Sequence, residues 1–176
     1  GEPVLAGQSG AGEPFSKVVT SSGATLTYDD VHALGFFSAK HDVTSNGNAY
    51  CRWTVLRSTW YGRLYLWLGH RPTTGVRLIR GSTNNVLRCA LDILPDGTLR
   101  WVDQNNNPIV TTTTPLTFRK WVRIEWRVDH ISGQVTIRLY NAAHSSAPTE
   151  AAESAQRRAI GPSARVTVPG DARRID

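Results

Sequence analysis

Residues 121–129 read Trp-Val-Arg-Ile-Glu-Trp-Arg-Val-Asp. One side of this alternation carries Val122, Ile124, Trp126 and Val128. The other carries Trp121, Arg123, Glu125, Arg127 and Asp129. A period of two marks a strand with one buried face and one face left to solvent or ligand. Two carboxylates on one face invite comparison with the acid and base that cleave glycosidic bonds, which work ~5–9.5 Å apart. Glu125 and Asp129 are four positions apart, so their Cα atoms would lie ~13 Å apart on an extended strand. Arg127 stands between them, and a neighbouring cation favours a charged carboxylate, whereas a general acid must hold its proton. The row therefore reads as a cross-strand charge ladder rather than a catalytic pair.

The same composition recurs on other segments. In 62–70 the apolar side is Leu64, Leu66 and Leu68, and the outer side is Arg63, Tyr65 and Trp67. In 85–94 the apolar side is Leu87, Cys89, Leu91 and Ile93, with Arg88 and Asp92 opposite. In 134–141, Val135, Ile137 and Leu139 oppose Thr136, Arg138 and Tyr140. Rings beside guanidinium groups suit a flat polar ligand such as a sugar, whose CH faces stack while its hydroxyls bond the charged groups. Tyr65 and Trp67 are the expected stacking residues, with Arg63, Arg88, Arg123, Glu125 and Arg127 as polar contacts. The same residue types anchor protein interfaces, and large aromatics often end up covered by other chain segments.

The elements that would position these residues are strands. Residues 1–23, rich in Gly, Ser, Ala and Pro, read as an irregular lead-in with one short strand at Lys17–Thr20. About ten strand segments separated by turn signals follow up to residue 141, including the turns Pro95-Asp96-Gly97 and 104–108. Residues 148–159 have helical propensity but no apolar stripe. The stretch 142–176 is rich in Ala, Arg, Ser and Pro, has no aromatic residue, and reads as a tail with one candidate strand at 164–170. This pattern predicts an all-β chain, a two-sheet antiparallel β-sandwich spanning 24–141.

Composition narrows the function classes. At 176 residues and 40% hydrophobic, the chain suits one globular domain. No apolar run approaches the ~20 residues of a membrane helix, so membrane insertion is not expected. The absence of Met even at position 1 reads as a chain that is processed or cut from a longer one. Of 20 Lys and Arg residues only Lys17, Lys40 and Lys120 are lysine. Arginine favours bidentate partners such as carboxylate, phosphate or sulfate. The cations are scattered singly with no recognition motif, so no sequence-specific nucleic-acid partner is expected. Cys51 and Cys89 read either as two buried thiols or as a disulfide between neighbouring strands. No cofactor is expected. Calcium is allowed for through Asp29, Asp30, Asp42 and the Asn residues at 46, 48, 84, 85 and 105–107, although turns use the same residue types.

Three phrases, "ATLTYDD…GFFSAKHD…AYCRWTV", "YGRLYLWL" and "WVRIEWRVDHISGQVTIRLYN", together resemble the concanavalin A-like, laminin-G-like jelly-roll domains. The flavour is that of actinobacterial secreted proteins and of the tail or virion proteins of their phages, over roughly residues 7–141. The resemblance implies two packed sheets, one of them concave, and glycan binding on that face or its rim loops, sometimes with calcium. The chain departs from the pattern at its C-terminal end, where a strand returning beside the first is expected. Either 164–170 supplies it, or an edge stays open to a neighbouring chain. Glycanases on this fold carry Glu-x-Asp-x-Glu, and here Arg127 occupies the centre. Lyases on related folds use Arg, Tyr, His or Gln, types present here without a motif. The resulting expectation is a non-catalytic, lectin-like carbohydrate-binding module of a larger extracellular or phage virion protein. The alternative is a structural virion or surface-assembly domain that binds protein. A polysaccharide lyase or glycoside hydrolase ranks below both.

Overall fold

The computed structural model describes residues 3, 17–29, 31, 38–43, 49–54, 57–154 and 165–168. For residues 38–39, 41–43, 49, 51, 53–54 and 165–168 only the backbone is described. The strands are β1 (Lys17–Thr20), β2 (Ala24–Asp29), β3 (Ser38–Val43), β4 (Ala49–Thr54), β5 (Thr59–Trp67), β6 (Val76–Thr83) and β7 (Val86–Ile93). They continue with β8 (Leu99–Asp103), β9 (Pro108–Thr111), β10 (Trp121–Asp129), β11 (Gln134–Tyr140), β12 (Glu150–Glu153) and β13 (Arg165–Val168). A seven-stranded sheet runs β1-β4-β13-β6-β7-β8-β9, a four-stranded sheet runs β12-β11-β10-β5, and β2 and β3 form a two-stranded ribbon. All pairings are antiparallel, and there is no helix among the described residues. The chain is an antiparallel β-sandwich.

The alternation seen in the sequence builds the core. Leu64, Leu66, Val122, Ile124, Trp126, Val128, Val135, Ile137 and Leu139 project from the four-stranded sheet into one apolar cluster with Ile79, Cys89, Leu91, Ile93, Leu99 and Trp101 of the seven-stranded sheet. Three indoles join the layers. Trp60 of β5 lies 5.9 Å from Trp101 of β8 and 6.1 Å from Trp126 of β10, centroid to centroid, and Trp101 lies 6.4 Å from Trp126. Trp60 donates its indole N–H to His130 Nε2 at 2.9 Å, so this turn histidine braces the core. The turns use residues that tolerate a left-handed backbone: Asn84, Asn85, Asn106, Gly97 and Gly133 all have positive φ.

The sheets do not stop at residue 141. The stretch 148–159, with its helical propensity, instead supplies β12. As a helix it would have no apolar face to bury, but as a strand it packs Ala152 against the core and pairs with β11. Residues 155–159 lie outside the described residues. β13 falls within 164–170 but sits between β4 and β6, with β1 on the far side of β4. That order also bears on the cysteines. Cys51 and Cys89 lie on β4 and β7, with two strands between them. Such a separation of ~14 Å exceeds the 4.4–6.8 Å that a disulfide spans between Cα atoms, so a bond between neighbouring strands does not fit. Cys89 is buried in the core. The orientation of the Cys51 side chain lies outside the described residues.

Glu150 ties β12 to the loop after β9. Its carboxylate accepts from the Thr113 N–H at 2.8 and 3.1 Å and from the Thr114 N–H at 2.6 Å. Partial burial works against its charge, but these N–H groups win and hold its carboxyl below the ordinary value. A depressed carboxyl stabilises the fold fully above its unfolded pKa and loses that contribution as pH falls through the folded value. Glu150→Gln is expected to cost about 1 kcal/mol at pH 7, the difference between charged and neutral hydrogen bonds. Urea midpoints of variant and parent should lie closer together at a pH below the ordinary glutamate value than at pH 7. A gap of equal size at both pH values would refute this.

Candidate functional site on the four-stranded sheet

Pairing register sets out the outer face of the four-stranded sheet in rows. They are Tyr61–Arg127–Thr136–Glu153, Arg63–Glu125–Arg138, Tyr65–Arg123–Tyr140, and Trp67–Trp121. Six of the seven residues expected at a ligand surface therefore share this face: Arg63, Tyr65, Trp67, Arg123, Glu125 and Arg127. Arg88 does not. It lies on β7 of the other sheet and donates to Gln104 Oε1 at 3.2 Å. Parity placed Arg88 on the outside of its own strand, but strand pairing puts that strand in the opposite layer. Its neighbours there are basic. Arg77, Arg80 and Arg100 share its face with one carboxylate, Asp92, which pairs with Arg77 at 2.8 Å and Arg100 at 3.7 Å.

Glu125 is the hub of the face. Arg63 Nε donates to its Oε1 at 2.9 Å, and the Tyr140 hydroxyl donates to its Oε2 at 3.0 Å. Arg123 Nε approaches Oε1 at 3.2 Å as an ion pair, but too poorly aligned for a hydrogen bond. Arg123 has further partners. Its guanidinium lies 3.7 Å from the Tyr140 ring centroid and donates to the carbonyls of Ala143 at 2.9 Å and Ser145 at 2.8 Å. Its side chain is only 14% exposed. This residue was expected to contact ligand, but here it straps the loop after β11 to the sheet.

The charge ladder continues at Asp129. Arg127 Nη2 donates to Asp129 Oδ2 at 3.2 Å, and Asp129 Oδ1 accepts from the N–H groups of Ile131 and Ser132. The Ser132 N–H is the chief cause that keeps the Asp129 carboxyl below its ordinary value. Glu125 and Asp129 are thus each engaged with their own donors, and Arg127 lies between them.

The open space on this face is a groove of about 430 Å³, within the usual range of ligand pockets. Tyr61 and Arg63 border it from β5, Arg127 from β10, Thr136 and Arg138 from β11, and Glu153 from β12. Tyr61 is 58% exposed and is the aromatic ring at the groove. Tyr65 and Trp67, both half-buried, point away from the core but lie farther along β5. Trp67 packs on Trp121 with centroids 6.1 Å apart. The sequence reading missed Tyr61, Arg138 and Glu153 as site residues. Extending the parity of Arg63 and Tyr65 back by two positions would have found Tyr61.

No family model and no curated protein matches the chain. Among solved structures, it is similar to a native heptameric SAP-like pentraxin from Limulus polyphemus, at 13% identity and a TM-score of 0.35. The similarity covers 61% of this chain and 59% of that one, less than two thirds of its length.

The described residues include no group of three or more His, Cys, Asp or Glu side chains placed to hold a metal. Asp103, beside the Asn-rich turn, spends its carboxylate on the N–H groups of Asn105 and Asn107 and the side-chain amide of Asn107. Asn84, Asn85 and Asn106 serve the left-handed turn backbone. Asp30, Asn46 and Asn48, and the side chain of Asp42, lie outside the described residues.

Proposed function

We propose that this chain is a non-catalytic, lectin-like module that binds carbohydrate across the outer face of its four-stranded sheet. It would belong to a larger extracellular or virion protein of the laminin-G-like kind. The observation that carries the proposal is the groove itself, where an exposed Tyr61 ring stands beside Arg63, Arg127, Arg138 and Glu153. A tyrosine face takes the CH side of a pyranose, while guanidinium and carboxylate groups take its hydroxyls. Tyr65, Trp67 and Trp121 extend the aromatic track along β5 and β10. Binding rather than turnover is supported by Glu125, whose two oxygens are occupied by Arg63 and Tyr140.

The test is a glycan array followed by titration. Tyr61→Ala is expected to weaken the selected glycan by roughly tenfold to a hundredfold, the scale of one stacked ring. Its thermal midpoint should stay within a degree or two, because Tyr61 is a surface residue. Retained affinity in Tyr61→Ala, or the absence of any glycan ligand, would defeat the proposal.

A further inference from the structure

The Arg138 side chain is exposed in the groove and has no hydrogen bond or ion pair to any described residue. Its register position on β11 is directly opposite Glu125, where a cross-strand ion pair would normally form. That pair is pre-empted, because Glu125 Oε1 is held by Arg63 and approached by Arg123, and Oε2 by Tyr140. The other groove acid, Glu153, accepts instead from Gln134 Nε2 at 3.0 Å. Arg127, diagonal to Arg138 across the β10–β11 pair, spends Nη2 on Asp129, and its side chain is 38% exposed. The groove thus presents two guanidinium groups whose donors exceed the protein's acceptors, with the Thr136 hydroxyl beside them.

Guanidinium donors arranged in a fork match two oxygens of one oxyanion, and such charge-assisted pairs are about twice as strong as neutral hydrogen bonds. We infer that the groove selects an acidic sugar, a uronate carboxylate or a sulfate ester held by Arg138 with Arg127. This rests on the carbohydrate-binding proposal above and names the class of its ligand. Tyr61 would hold the ring, and the two arginines would choose the charge.

The experiment titrates the full chain with oligogalacturonate, with the same oligomer as its methyl ester, and with dextran and dextran sulfate. At least one acidic probe is expected to bind roughly tenfold or more tighter than its neutral counterpart. Arg138→Gln should erase that preference without changing the thermal midpoint, and Arg80→Gln, on the opposite sheet, should leave it intact. Whether galacturonate or dextran sulfate binds decides between carboxylate and sulfate. Equal binding of acidic and neutral forms, or a preference unmoved by Arg138→Gln, overturns the inference while Tyr61-dependent carbohydrate binding stands. A preference lost in Arg80→Gln instead assigns it to the basic outer face of the seven-stranded sheet and also overturns the inference. No binding of any probe or arrayed glycan overturns both.

Discussion

Gly62→Ala is expected to cost about 3–5 kcal/mol, on the scale of deleting a buried tryptophan. Gly62 lies on the core side of β5, directly opposite Trp126 of β10. A Cβ at position 62 would collide with the Cζ2 and Cε2 edge of the Trp126 indole, far inside van der Waals contact. The ring has nowhere to go, because Trp126 is 3% exposed and is packed against Trp60 and Trp101. A single methyl group must therefore expel the indole from its site or spread β5 from β10. Either outcome consumes a large share of the 5–15 kcal/mol that holds a typical domain together. Urea denaturation should show a large fall in midpoint or no folded baseline at all. Shrinking the partner should recover part of the loss, so Gly62→Ala combined with Trp126→Leu should be more stable than the sum of the single changes predicts. A cost below about 1 kcal/mol for Gly62→Ala would mean that the ring does not cross the strand as described.

Arg123→Ala is expected to cost about 3 kcal/mol, although its register position shares the face of the groove. The change removes two charge-assisted hydrogen bonds to the Ala143 and Ser145 carbonyls, each worth about 1.5–3 kcal/mol before relaxation. It also removes the guanidinium from the Tyr140 ring and one of the two cations at Glu125. Arg123→Lys should recover little, since an ammonium cannot span two carbonyls and stack on a ring at once. Thermal and urea unfolding would check this, together with affinity at a temperature where the variant remains folded. Loss of stability with affinity retained identifies Arg123 as a strap, whereas loss of affinity alone would restore it to the ligand surface.

The contrast between Arg123 and Arg127 shows what was legible in the sequence. Strict alternation over 121–129 and 134–140 placed both arginines outward, and the pleat delivers that face intact. Alternation says nothing of what lies above a face. The carbonyls that capture Arg123 come from the loop after β11, whose path depends on tertiary contacts. Arg88 exposes a second limit. Its parity marked it as outward, but parity does not name the sheet, and β7 joins the seven-stranded layer through pairings with β6 and β8. Tyr61 was lost at a boundary, because Gly62 reads as the end of a turn while β5 begins at Thr59. The sandwich itself was readable because its long strands alternate cleanly. β12 was hidden because an Ala-rich tetrapeptide carries little strand signal and is held by Glu150 and by the edge of β11.

The position of β13 has a consequence for how the chain reaches its final form. Residues 165–168 pair on one side with β4 and on the other with β6. Until that late segment arrives, β1-β4 and β6-β7-β8-β9 are two half-sheets facing each other across a one-strand gap. Neither can zip onto the other, because the intervening ladder is missing. Closing a chain separation this long is entropically expensive and belongs to slow, topology-limited folding. The two bare edges meanwhile accept any passing strand, including the same segment of another copy. Residues 165–168 therefore act as a keystone, and their timely docking separates a closed sandwich from exchanged or aggregated material.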